Sequence, residues 1–159
     1  MSCKLQGQLK CLNTYDRYKK YDNYEMLRNK YVYTIFKPKR GSNIRHVNIT
    51  MIKDFEHIED SLSCLKDMLY SGDISRVTVD NTTASFNVNT FLDLSQLYQS
   101  LRSDWNVSFS AQLFPAVCWR LNMATVQIFS SGKIVIIGAK SERDIKEVVA
   151  QCYAIMKKY

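Results

Sequence analysis

The residues best equipped for chemistry here are two histidines, five cysteines and a group of carboxylates. Their spacing gives none of them a catalytic partner. His46 falls in IRHVNIT (44–50) and His57 in a helical stretch, neither at metal-ligand spacing from a cysteine. Cys3, Cys11, Cys64, Cys118 and Cys152 form an odd set without a Cys-x-x-Cys pair. With no apolar leader at the N-terminus, they read as reduced intracellular thiols in small core or surface positions. Glu56, Glu59, Asp60, Glu142, Asp144 and Glu147 fall along two helical patterns, where solvation and capping account for them. Gly132–Lys133 lies in SSGK, without the glycine spacing of a phosphate loop. The expectation is a chain that is not an enzyme and needs no cofactor and no metal.

What remains unusual is apolar. In IFSSGKIVIIGAK (128–140), Phe129 closes a run at a turn, where a hairpin tip exposes its ring to water. The following strand reads IVII, whereas a half-buried strand alternates apolar with polar. Both faces of that strand need cover.

The elements that place these residues follow from periodicity. VTVDNTTASFNV (77–88) reads as one long strand, rich in β-branched residues. FLDLSQLYQSL (91–101) is a helix with Phe91, Leu94, Leu97, Tyr98 and Leu101 on one side, capped by Asp93 or Ser95. LFPAVCWRL (113–121) and ATVQIF (124–129) are strands joined at Asn122–Met123, and the SSGK turn leads into IVIIG. The C-terminal helix starts at Ser141, with Asp144 in capping-box position and Ile145, Val148, Val149, Cys152 and Met156 as its stripe. An earlier segment repeats this plan. YVYTIF (31–36), a basic turn (37–43), IRHVNIT (44–50) and a helix over 54–69 follow in order. Ile35–Phe36 mirrors Ile128–Phe129, and Ile58 mirrors Ile145. Two halves are therefore expected, a shortened first copy over 1–76 and a fuller second over 77–159. Helices with adjacent antiparallel strands make the class α+β. If the helices cover one sheet face, the other carries the surplus apolar residues and marks an interface, with DNA, a protein or a second copy.

Charge is unevenly placed within the net +7. Residues 1–46 hold 11 Lys/Arg against 3 Asp/Glu, and residues 47–159 hold 11 against 12. Such a basic N-terminal part suits phosphate contacts or a plain solvated surface. No apolar run reaches the ~20 residues of a membrane span.

The segment LFPAVCWRL…ATVQIFSSGKIVIIGAKSERDIKEVV closely resembles a repeat of the TATA-binding protein family, as does DNTTASFNVNTFLDL upstream. The likeness is strong over 80–159, loose over 21–79 and poor over 1–20. It implies a saddle of two pseudo-symmetric halves, a curved antiparallel sheet with helices on its convex face. The concave face would bind A·T-rich promoter DNA in the minor groove, with phenylalanines wedged between base steps. On this resemblance Phe114 and Phe129 match the wedges of one half and Asn81 the central asparagine. Thr83 and Val135 match contacts to the groove floor. Arg120, Ser131 and Lys133 match positions near phosphate or sugar. In the first half Phe36 is the wedge candidate, with Tyr21 at the partner position. Two positions depart from the family: Ile137 replaces a threonine and Gln127 an aliphatic residue. The implied function is a transcription initiation factor, with a transcription factor IIB-like protein and RNA polymerase as partners. The alternative is an interaction module that keeps the fold without TATA binding. The Asn/Tyr/Lys-rich first half suits a large DNA virus or a fast-evolving eukaryote, placing the protein in a nucleus or a cytoplasmic viral factory.

Overall fold

Alternating apolar residues build two separate five-stranded antiparallel sheets, each backed by helix. The computed structural model describes residues 1–9, 24–36, 40–42, 44–103 and 106–157. Contacts divide the chain into two units, Met1–Val79 and Asp80–Tyr159.

The first unit contains β1 (Ser2–Leu9), β2 (Tyr24–Arg28), β3 (Tyr31–Ile35), β4 (Ile44–Thr50), α1 (His57–Asp67) and β5 (Leu69–Thr78), with sheet order β2-β3-β4-β1-β5. In β3 the alternation is clean: Tyr31, Tyr33 and Ile35 are fully buried while Val32 and Thr34 are only half-buried. The buried row meets Val47 and Ile49 of β4 and Leu62 and Leu65 of α1. Two tyrosine hydroxyls fasten the sheet to the helix. Tyr31 donates to the Asp60 carboxylate at 2.5 Å, and Tyr33 donates to the Ser61 carbonyl at 2.8 Å. Burial, then the bond to Asp60, pushes the Tyr31 phenol up to about 12, so it remains a donor at every physiological pH.

The second unit contains β6 (Thr82–Asn87), α2 (Leu94–Leu101), β7 (Val107–Ser110), β8 (Phe114–Arg120), β9 (Thr125–Phe129), β10 (Lys133–Ala139) and α3 (Glu142–Met156), with order β6-β10-β9-β8-β7. Val117, Trp119, Val126, Ile128, Ile134 and Ile136 form the sheet side of its core, against Leu97, Val148 and Cys152 from the helices. Cys152 is fully buried, and burial raises its thiol to about 11, which makes it packing rather than a nucleophile. Both helices start on polar caps. The Asp93 carboxylate accepts from the Ser95 and Gln96 amides at 2.9 and 3.0 Å. The Ser141 hydroxyl accepts from the Asp144 amide at 3.1 Å, while the Asp144 carboxylate accepts from the Lys140 amide at 3.1 Å.

Several boundaries differ from the sequence reading. The long strand expected over 77–88 is two strands, broken at 79–81, and its first part reaches back to Leu69, which had read as helical. Because Asp93 caps α2, Phe91 stays outside the helix and is 89% exposed. β7 had read only as a polar stretch, since its four residues VSFS carry too few apolar positions to show a period. Most of the basic turn (37–39 and 43) and Tyr21 lie outside the described residues.

Candidate nucleic-acid interface

Strand register decides which side chains of the second sheet face away from its helices. Ile134 pairs with Ile128 and with Phe86, and Val117 pairs with Ile128, so these lie on the helix side. Since side chains alternate, Val135 and Ile137 of β10 emerge on the opposite, open face. The same face takes Thr125, Gln127 and Phe129 from β9, Phe114, Ala116, Cys118 and Arg120 from β8, and Thr83 and Ser85 from β6. One cross-strand row runs Ser108, Cys118, Gln127, Val135, Ser85; the next runs Arg120, Thr125, Ile137, Thr83. The apolar strand IVII therefore has two faces of different fate. Ile134 and Ile136 are fully buried, whereas Val135 and Ile137 are half-buried with no helix over them.

At one corner of this face stand two phenylalanines. Phe129 ends β9 and Phe114 begins β8; their ring centroids lie 6.0 Å apart at 65°, an edge-on pair. Phe114 is 39% exposed. On the same face Ala116 pairs with Phe129, is only 1% exposed, and stands apart from the helix-side core. The hairpin tip carrying Phe129 is tied down by backbone bonds. The Gly132 amide donates to the Phe129 carbonyl at 3.0 Å, the Val88 amide to the Gly132 carbonyl at 3.0 Å, and the Leu92 amide to the Ser130 carbonyl at 2.9 Å. Gly132 has φ +80, and a Cβ there would run into the Thr90 carbonyl oxygen. The glycine of SSGK thus serves a tight turn against a neighbouring loop.

The remaining residues singled out from sequence fall as follows. Thr83 is exposed opposite Ile137, and Val135 lies between Gln127 and Ser85. Arg120 ends β8, exposed opposite Thr125; Ser131 is exposed in the turn; Lys133 opens β10, exposed opposite Asn87. Asn81 is exposed, but it sits in the break before β6 rather than within a strand. Phe36 belongs to the first unit. It is half-buried just past β3, its amide donating to the His46 carbonyl at 2.9 Å. Register gives that unit its own face away from α1, with Val32, Thr34, Phe36, His46, Asn48 and Thr50. Among the described residues no group of three or more His, Cys, Asp or Glu could hold a metal ion.

Sequence reasoning missed Ala116, Cys118, Thr125, Ser85 and Ser108 as members of the open face. The signal was available for β8, because fixing Phe114 on a face fixes Ala116 and Cys118 by the period of two. Burial raises the Cys118 thiol and the Arg120 charge opposes that rise. No helix among the described residues is long and apolar enough to cross a membrane.

Comparison with known proteins converges on one family. The family described as Transcription factor TFIID (or TATA-binding protein, TBP) matches residues 76–159. The chain is similar to the TATA-box-binding protein of Thermoplasma acidophilum, 30% identical over 110 residues, which is 65% of this chain and 59% of that protein. It is similar to that of Pyrobaculum islandicum, 39% identical over 83 residues, 51% of this chain and 40% of that protein. The chain therefore spans about half the length of these curated relatives. Among solved structures, the TBP of Methanococcus jannaschii shares the fold at a TM-score of 0.69 and 20% identity, covering 99% of this chain and 94% of that one. The matched family segment takes up more than half of the 159 residues and includes all of β6 to α3, so the chain belongs to the TATA-binding protein family.

Proposed function

We propose that this protein is a transcription initiation factor that binds A·T-rich promoter DNA in the minor groove, through the open face of the second unit. The observation that carries the reading is the Phe114–Phe129 pair, edge-on at the corner of a sheet face that no helix covers. A soluble protein gains nothing from two partly exposed rings and two half-buried aliphatic side chains on such a face unless another surface covers them. A minor groove suits it, since apolar contact suffices where bases offer few donors, and aromatic wedges open a base step at a cost of a few kcal/mol. Arg120, Lys133 and Ser131 at the rim would hold phosphate and sugar, setting position rather than sequence. Thr83 and Asn81 would reach groove acceptors, and Phe36 would be the wedge of the first unit. We further propose that the shortened first repeat occupies 1–76, and that a transcription factor IIB-like protein and RNA polymerase are partners, in a nucleus or viral factory.

The test is a mobility assay on a labelled A·T-rich duplex with a parallel measurement of bend angle. Phe129→Ala and Phe114→Ala should each weaken binding by about tenfold or more, as expected for a buried aromatic anchor, and should reduce the bend. Wild-type binding indifferent to both rings, or no binding at low salt, sinks the proposal and leaves the interaction module as the reading to pursue.

A further inference from the structure

Gln127 is the one long amide in the middle of the open face. It lies on the central strand β9, between Cys118 and Val135 in register, two residues from Phe129 on the same side. It is half-buried, and among the described residues no hydrogen bond reaches its amide. Across the strands it faces Cys118 and Val135, and along β9 it is flanked by Phe129 and Thr125, of which only the Thr125 hydroxyl is a strong donor or acceptor.

We infer that Gln127 makes this chain select a G·C pair within its A·T-rich site, by accepting a hydrogen bond from the guanine 2-amino group. The inference rests on the minor-groove reading above. When a groove covers the face, the amide loses water, and both its NH2 and its C=O need partners to avoid the cost of burial. An A·T pair presents only acceptors there, adenine N3 and thymine O2, so it satisfies the NH2 and leaves the C=O unpaired. A G·C pair presents acceptors and one donor, the guanine amino group, so it satisfies both ends of the amide. The flanking Val135 and Ile137 act oppositely. Against an apolar side chain the guanine amino group is itself stranded, so the pairs they cover are held to A·T. One position of the site therefore differs in preference from its neighbours.

The test uses the full chain and a set of duplexes in which each pair of an A·T-rich site is replaced in turn by G·C or by hypoxanthine·C. The last two differ only by the 2-amino group. At one position wild-type protein should bind G·C roughly three- to tenfold more tightly than hypoxanthine·C, the worth of one hydrogen bond. Gln127→Leu and Gln127→Met should each reverse that order, and either variant suffices if the other folds poorly. The inference is overturned if hypoxanthine·C is bound at least as tightly at every position, or if both variants keep the wild-type preference. Failure to bind the unsubstituted A·T duplex at all would overturn the minor-groove reading itself, a result distinct from the other two.

Discussion

Ala116 shows how a single side chain shapes the proposed site. Ala116 pairs with Phe129 and presents only a methyl there, 1% exposed, on the face where Phe114 and Phe129 meet. Gly132 works from the other side of the same hairpin. Its positive φ and the nearby Thr90 carbonyl leave no space for a Cβ. Gly132→Ala should cost about 2 kcal/mol or more, read as a lower urea midpoint at unchanged slope. These two residues also mark what sequence could and could not reveal. The motif IFSSGK pointed to Phe129 and to a turn, because turn chemistry is local. Nothing local told that Ala116 would be buried opposite Phe129, since that depends on which strand lies alongside. Asn81 was singled out by resemblance to a central asparagine and placed in a strand; it is exposed, in the break between β5 and β6.

At the scale of elements, the caps carry the clearest consequences. Ser141 and Asp144 satisfy backbone donors at and just before the start of α3, the helix that supplies Val148 and Cys152 to the core. Ser141→Ala should lower stability by about 1 kcal/mol in a thermal or urea titration. Asp144 adds a pH dependence. The Lys140 amide, then the Ser141 hydroxyl, hold its carboxyl below the ordinary range. A depressed carboxylate stabilises fully above its unfolded pKa and loses that contribution as pH falls through the folded value. Acid titration should therefore show stability falling below about pH 4, and Asp144→Asn should flatten that part of the curve. The helices were legible from their period, as in Ile145, Val148, Val149 and Cys152, and the β8-β9-β10 meander from apolar, β-branched runs bounded by turns. β1 and the start of β5 were not, because they pair with each other across some sixty residues, and β7 was not, because four residues are too few to show a period.

At the scale of the molecule, each unit has its own core, and their sequences differ in how openly they declare the fold. The family match begins at residue 76, yet the likeness to a solved relative covers 99% of the chain at 20% identity. Pattern conserves a fold after residue identity has faded. Charge follows the same division: Met1–Val79 carries 14 Lys/Arg against 9 Asp/Glu, and Asp80–Tyr159 carries 8 against 6. Neutralising phosphates releases counterions, so binding should fall linearly in log affinity with log salt. Lys133→Ala and Arg120→Ala should each lower that slope by roughly one while leaving sequence preference intact. Among the described residues the two open faces are chemically unlike, one with paired phenylalanines and aliphatic side chains, the other with Thr34, His46, Asn48 and Thr50 beside Val32 and Phe36. If the proposed minor-groove reading holds for the second unit, its face supplies the apolar contact, and the first unit's face offers hydroxyl, amide and imidazole groups instead. The two units keep one fold while their open faces have diverged in chemistry, so each face can change its contacts without disturbing the core behind it.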